Sequence, residues 1–410
     1  ESKSITQYYE LNYSVNRSLN TNLNLTLRKK KYTPAFKLTV SLDDVIILVR
    51  SHSRFNVFEP VSGDLFYEVS TQRSAKLERV FVPVDKGSGN YIYLGDQNNN
   101  GIQDEYEFEP VLYDGDYIVI TVPTDELFPV IDLKTSTRWK ISFGKFFDNN
   151  STLGNILTPL STETFWRIEE NSREENYKKI YLLQFSAFQN EQNTIRGSDY
   201  FQHDFFLWEN NQELSFRFRY SQRKSLNQFS GGVERAYNRE RSLRIKFKLV
   251  KEIGNQTDIV SVNDNVRANT ASNRRREITG NSISTDFSYR PENYIEVGFR
   301  IRVEKKEDMF PDNPTIIDVN SLMLRVNVSF AGKGRLRAEI ERNELTTNTT
   351  GNFIPFELTN GNLIGKNYFW RLNFDYRLAA NLQSTLSYDG RLQGTGKVVN
   401  TLRAEARAYF

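Results

Sequence analysis

Apolar and polar residues alternate along almost the whole chain. From Tyr368 the run YFWRLNFDYRL sets Tyr368, Trp370, Leu372, Phe374, Tyr376 and Leu378 against Arg371, Asn373, Asp375 and Arg377. A period of two belongs to the β-strand, whose successive side chains point to opposite faces. The closing segment repeats it, with Leu402, Ala404, Ala406, Ala408 and Phe410 opposed to Arg403, Glu405, Arg407 and Tyr409. The same alternation marks Leu214 to Tyr220, Leu243 to Leu249, Ile295 to Val303, Leu322 to Phe330 and Leu336 to Ile340. Near the start, Leu19, Leu23, Leu25 and Leu27 oppose Asn20, Asn22, Asn24 and Thr26. No helical heptad competes, so the chain is predicted to be all-β.

Alternation alone fits a soluble sandwich and a membrane barrel equally, since both have one apolar and one polar face. Strand length separates them better. Strands of soluble domains centre near 5 to 6 residues, whereas spanning strands need roughly 9 to 11. Several segments here reach the longer length, and their polar faces are charged through the middle, as in Arg244-Lys246-Lys248 and Arg300-Arg302-Glu304. Such a face suits a wet lumen. The links add parity, because outer-membrane barrels alternate short periplasmic turns with long outside loops. Counted back from Phe410, stretches 392–397, 344–365, 306–319, 263–276, 222–241 and 189–201 fall on one side. Stretches 379–381, 331–334, 290–293 and 209–212 fall on the other.

The expected architecture is therefore an antiparallel outer-membrane-type β-barrel. Residues 1–50 and 131–410 supply its strands, and 51–130 reads as a small inserted β domain of short pieces (ERVFVPV, NYIYL, DYIVITV) between Gly, Asp and Pro turns. Parity carried back to residue 5 accommodates up to seventeen strands and sets the insert on the periplasmic side. Bacterial barrels usually have an even count, which points to a further strand or domain upstream of Glu1.

Composition narrows the chemistry. Lys plus Arg is 54 and Asp plus Glu 51, a net charge of +3 that argues against a nucleic-acid partner. Zero Cys excludes disulfides, thiolate catalysis and Cys-based zinc sites, and two histidines, His52 and His203, exclude a His-rich metal centre. Mean hydropathy is -0.59 and no apolar run is long enough for a transmembrane helix. The opening Glu1-Ser2-Lys3 has no signal-peptide character, so the chain reads as mature or as a fragment.

The sharpest motif is GDQNNNGIQDEYEFE. Counted from Asp96, oxygen ligands fall at loop positions 1, 3, 5, 9 and 12 as Asp96, Asn98, Asn100, Asp104 and Glu107. Gly101 takes position six, where the loop turns sharply, and Ile102 offers a backbone carbonyl at position seven. A hard cation needs six to eight oxygens, which this spacing supplies without His or Cys. NYIYL ahead of the loop reads as strand, so the expectation is a lone Ca²⁺ loop in a β context, with affinity of about 10⁻⁴ to 10⁻³ M. An Asn-rich turn is the plainer reading.

Other chemistry is sparse. The Arg-rich faces would favour anions if they lined a pore; equally, Arg and Glu ladders would pair across neighbouring strands and fill the lumen. His203-Asp204 imitates an acid-base pair, but neighbours on a strand point opposite ways and no nucleophile accompanies them. GRLQGTGKV lacks the spacing and hydroxyl of a phosphate loop and reads as a hairpin loop. The chain is not expected to be an enzyme.

Segments 115–134 (GDYIVITVPTDELFPVIDLK), 222–235 (QRKSLNQFSGGVER), 354–378 and 402–410 (LRAEARAYF) resemble the C-terminal part of large, functionally unassigned cell-surface proteins of Gram-negative bacteria. The resemblance implies the bacterial outer membrane and a barrel; it brings no reaction and no family site. The terminal aromatic, Phe410, resembles the closing-strand signal read by barrel-assembly machinery, which with outer-membrane lipid is the expected partner. The functional expectation is a pore, translocation channel or surface scaffold with a calcium-binding insert. Its competitor is a soluble, calcium-stabilised, β-rich adhesin-like surface protein.

Overall fold

The computed structural model describes residues 2–15, 18–32, 44–58, 60–146, 152–268, 275–310, 313–349 and 354–408. Its strands are β1 (Ser2–Val15), β2 (Leu19–Tyr32), β3 (Asp44–Phe58), β4 (Val61–Pro83), β5 (Gly89–Tyr93), β6 (Phe108–Gly115), β7 (Tyr117–Ser142), β8 (Leu160–Ser172), β9 (Thr194–Leu207) and β10 (Leu214–Phe229). They continue as β11 (Gly232–Val250), β12 (Ile253–Arg267), β13 (Arg276–Glu292), β14 (Ile295–Asp308), β15 (Thr315–Phe330), β16 (Gly334–Thr347), β17 (Gly365–Ala379), β18 (Leu382–Gln393) and β19 (Val399–Ala408). β5 and β6 pair with one another; the other seventeen form an up-and-down meander in which each pairs antiparallel with the next. This is the architecture of an outer-membrane-type β-barrel.

Seventeen is the upper limit that the sequence allowed, and it leaves a seam. Among the described residues β1 pairs only with β2 and β19 only with β18. Because seventeen is odd, the two edge strands run in the same direction. Phe410 and Glu1, to which the sequence attached the assembly signal and the upstream strand, lie outside the described residues.

Alternation separates the two faces of the sheet. One row runs Phe205, Phe218, Leu243, Ile259, Ile283 and Val303, each the direct cross-strand partner of the next. A second runs Tyr289, Val297, Val326, Ala338, Leu372, Tyr388 and Leu402. No protein covers these rows: Ile283 and Val303 are each 55% exposed. The opposite face carries charge in pairs, with Arg219 on Asp204 at 2.6 Å, Arg244 on Asp258 at 2.6 Å, Arg300 on Asp286 at 2.7 Å and Arg371 on Asp389 at 3.0 Å. Gly298 permits a further contact: a side chain there would begin 2.7 Å from the Arg325 guanidinium, which crosses it to Asp286 and Glu296. Much of the arginine on this face is thus paired with carboxylates, across strands at these positions and along one strand at Arg302–Glu304 and Arg337–Glu339.

Three expectations are corrected. Residues 51–130 are not one inserted domain, because 51–58 belong to β3, 61–83 to β4 and 117–130 to β7. The insert is only 84–116. β4 and β7, 23 and 26 residues long, form a single hairpin with a bulge between Ala75 and Leu77. Pro123 and Pro129, which read as breaks, flank that bulge, where a missing donor is tolerated. Second, the insert caps this hairpin at the end of the sheet shared with links 173–193 and 348–364, opposite the short turns 251–252, 293–294, 331–333 and 380–381. Parity had placed it at the short-turn end. Third, 222–241 is not a long loop, since β10 and β11 continue to a turn at 230–231.

Two long links fold back and make the small buried clusters. Segment 354–364 lies on the charged face, where Leu358 meets Ile278, Ile317 and Leu345. Link 173–193 turns to the other face, where Ile180 and Ala187 meet Val69, Ile131 and Leu133.

Candidate functional site

The mouth of the sheet at its long-link end gathers most of the chemistry. Above the bulge the β4 faces exchange, so Leu77, Arg79 and Phe81 point toward the insert while Val80 and its partner Ile120 are exposed. Phe81 stacks on Phe108 at 3.8 Å, and Tyr91, Tyr93 and Tyr117 close around the pair at ring distances of 5.0 to 5.3 Å. This aromatic core, with β5, β6 and the 3₁₀ turn Glu105–Glu107, is the insert.

Each flank of the insert is tied to a different wall. On one flank Arg79 donates to Glu105 at 2.9 Å and to Glu234 of β11 at 3.0 Å, with its guanidinium 3.8 Å over Phe229 of β10. On the other, Arg391 of β18 meets Asp114 at 2.8 Å and lies 4.1 Å over Tyr113, whose ring also faces Phe369 of β17 at 6.3 Å. Phe369 and Arg391 are register partners on the face of Arg371 and Asp389. The insert therefore reaches from β4, β10 and β11 to β17 and β18 as a strap across the charged side of the sheet.

Link 348–364 meets the strap from the far wall. Arg276 binds Glu357 at 3.0 Å and Lys306 donates to the Glu357 carbonyl at 3.1 Å. Gly361, at φ 76°, sits where a Cβ would fall 2.4 Å from the Phe356 ring and 2.7 Å from Leu112 of the strap. Between strap, link and wall lies a cavity of about 490 Å³, bounded by Phe81, Phe108, Phe229, Phe356, Arg79 and Glu105.

The loop expected to hold a cation occupies 96–107 at the strap's rim. Asp96 accepts from the Gly101 N–H at 2.8 Å and the Asn100 N–H at 3.2 Å, while Asn98 and Asn100 accept from the N–H groups of Asn100 and Ile102 at 3.0 and 2.7 Å. Left-handed backbone at Asn99 (φ 56°) and Gly101 (φ 73°) makes the turn. The Gly101 N–H above all, with those of Asn100, Asn99 and Asn98, holds the half-buried Asp96 carboxyl below its ordinary range, against the smaller opposing effect of desolvation. The side-chain amides of Asn98 and Asn100 both face Asp104 Oδ2, at 2.9 and 2.8 Å. Glu107 is buried and accepts from the Gln97 N–H at 2.8 Å, the Asp104 N–H at 3.2 Å and the Tyr93 hydroxyl at 3.3 Å. Burial first and the Glu107 charge second push the Tyr93 hydroxyl up.

Of the six expected ligand positions, Asp96, Asn98, Asn100 and Asp104 are linked by hydrogen bonds around one turn, Ile102 lies on it with its side chain exposed, and the Glu107 carboxylate is turned to the Gln97 and Asp104 N–H groups and the Tyr93 hydroxyl. Among the described residues no three acidic or histidine side chains converge; the donor set would be mixed carboxylate, amide and carbonyl, which suits a hard, oxygen-seeking cation.

His203 and Asp204 do not meet. His203 contacts Thr164 Oγ1 at 2.9 Å, and Asp204 binds Arg219 across the other face. The sequence reading missed the strap's two ties and the Gly361 link, because Arg391 and Asp114 are 277 positions apart and carry no local signal.

No family model and no curated protein matches the chain. Among solved structures it is similar to the ferric-catecholate import receptor Fiu from E. coli K12 in its open form, at 9% identity and TM-score 0.42, over 95% of this chain and 64% of that one. It is also similar to the siderophore receptor PirA from Acinetobacter baumannii, at 8% and 0.41, over 99% and 64%. A third is Pseudomonas aeruginosa OccK5 (OpdH), at 11% and 0.40, over 100% and 94%. The chain spans under two thirds of the length of the two receptors. The fold itself rests on the strand pairings.

Proposed function

We propose that this chain is a non-catalytic β-barrel of the bacterial outer membrane, a channel or surface scaffold whose mouth is crossed by a calcium-ordered strap. The observation that carries the reading is the division of the sheet into bare apolar rows and paired charge. In water those exposed rows would be a large aggregation liability; against acyl chains they cost nothing, while the charged face lines the wet interior. An odd number of antiparallel strands set between β1 and β19 would complete the ring.

Calcium enters through the loop. Asp96, Asn98, Asn100, Asp104 and Glu107 would hold it with the Ile102 carbonyl, and the ion would neutralise the carboxylates and lock the turn. Glu107 sits between the loop and the aromatic core, so order in the loop is transmitted to the strap.

The test of the barrel is solution behaviour. The folded chain should require detergent and shift its gel mobility on heating. A monodisperse chain in detergent-free buffer would overturn the reading in favour of the soluble, calcium-stabilised surface protein. Calcium titration of the detergent-solubilised protein, read by calorimetry, tests the loop separately.

A further inference from the structure

Among the described residues, link 173–193 packs on the bare apolar face. Val69 and Leu133 are register partners, on the face of exposed Leu65 and Trp139, and they receive Ile180 and Ala187 from the link. The Tyr67 hydroxyl donates to the Tyr181 carbonyl at 2.9 Å, and Phe185 lies 5.2 Å from Trp166 of β8. The helical turn Tyr177–Tyr181 and the 3₁₀ turn Phe185–Ala187 are thereby held against the outer wall.

Their free side sets large apolar groups among the exposed polar side chains of Lys178, Gln184 and Ser186. Tyr177 is 57%, Leu182 71% and Phe185 54% exposed, beside exposed Lys178 and a Lys179 that pairs with Glu174 at 3.1 Å. The height is informative. Starting from the short-turn end, Val61 to Val69 and Leu160 to Ile168 are each nine residues, and a spanning strand needs roughly 9 to 11. The covered positions therefore stand where a bilayer would end. Aromatic and aliphatic groups with lysine at that level match the acyl–headgroup boundary, where apolar bodies are buried and cationic tips reach phosphate.

We infer that the 177–187 segment is an interfacial foot, its Tyr177, Leu182 and Phe185 seated in the lipid of the long-link-side leaflet, with Lys178 at headgroup phosphate. The inference rests on the barrel reading above. The lipid belt continues directly into this patch, which makes a bilayer its occupant rather than a protein.

With no native cysteine, single reporters are clean. Leu182→Cys, Ile283→Cys and Ile102→Cys variants carrying an environment-sensitive fluorophore are reconstituted in phosphatidylcholine vesicles with and without brominated acyl chains. Quenching at 283 and comparably at 182, with none at 102, is the expected result. Quenching at 283 with 182 as silent as 102 would overturn the foot, assign the patch to a partner other than lipid, and leave the barrel intact. Silence at all three positions would overturn the barrel reading and the foot together. Phe185→Cys repeats the measurement in case substitution at 182 disturbs the link.

Discussion

Arg391 of β18 holds Asp114 of the strap at 2.8 Å across 277 positions of sequence. Its counterpart is the Arg79 tie to Glu105 and Glu234 on the opposite flank. The two ties differ in burial, and so in worth. Asp114 is well exposed, and an exposed pair contributes about 0.2–1 kcal/mol. Glu234 is buried, and removing a charged partner from a poorly solvated carboxylate costs more than breaking an exposed pair.

Arg391→Ala is expected to loosen only the 110–116 end of the strap, while Arg79→Ala destabilises the strap as a whole. Hydrogen exchange of residues 84–116 distinguishes them. Equal protection loss in the two variants would show that burial does not rank these ties.

Calcium at ten times its Kd should stabilise the strap by about 1.4 kcal/mol, little for the sheet but much for a segment of this size. Chelator should open 84–116 to protease, and Asp96→Ala with Glu107→Ala should reproduce the chelator. Mg²⁺ should protect poorly, since it demands a tighter octahedral shell. An identical digest with calcium and with chelator would leave the loop as a plain turn.

The Asp96 carboxyl also sets a pH dependence. Its folded value lies below the unfolded one, chiefly through the Gly101 N–H, so its contribution is complete above the unfolded aspartate range and lost as pH falls through the lower folded value. In chelator, exchange at the Gly101 amide should remain slow past the ordinary aspartate range and accelerate below it. Asp96→Asn should remove that step, and a step in the ordinary range would mean the amide bonds do not hold the carboxylate.

Gly361→Ala combines an unfavourable left-handed backbone with a clash on Phe356 and Leu112. A loss upwards of about 1 kcal/mol is expected locally, seen as faster exchange in both 354–364 and the strap. Acceleration in 354–364 alone would show that the two elements move independently.

Val326→Arg places a charge in the second apolar row and should cost about 2–4 kcal/mol in a bilayer near its midplane. Unfolding in lipid measures it. Separately, loss of Phe410 should lower insertion in cells; unchanged surface levels would remove the terminal signal.

The strand faces were legible from residues alone. Alternation such as Ile295 to Val303 is a local property, and a period of two has only one conformation to which it corresponds. The regular spacing of oxygen-bearing side chains over 96–107 was legible for the same reason, since it depends on near neighbours in sequence. The insert's limits were not. β7 runs through the boundary read at 130 because its pairing with β4 absorbs the phase change and the prolines at the Ala75/Leu77 bulge, and a bulge is a property of two paired strands. Whether 173–193 would lie on the apolar face and 354–364 on the charged one depended on which wall accepted Ile180 and which accepted Leu358. The strap's ties followed the curvature of the sheet, which alone brings Arg391 to Asp114. Contacts between distant residues exist only once the intervening strands are registered, so no local pattern encodes them.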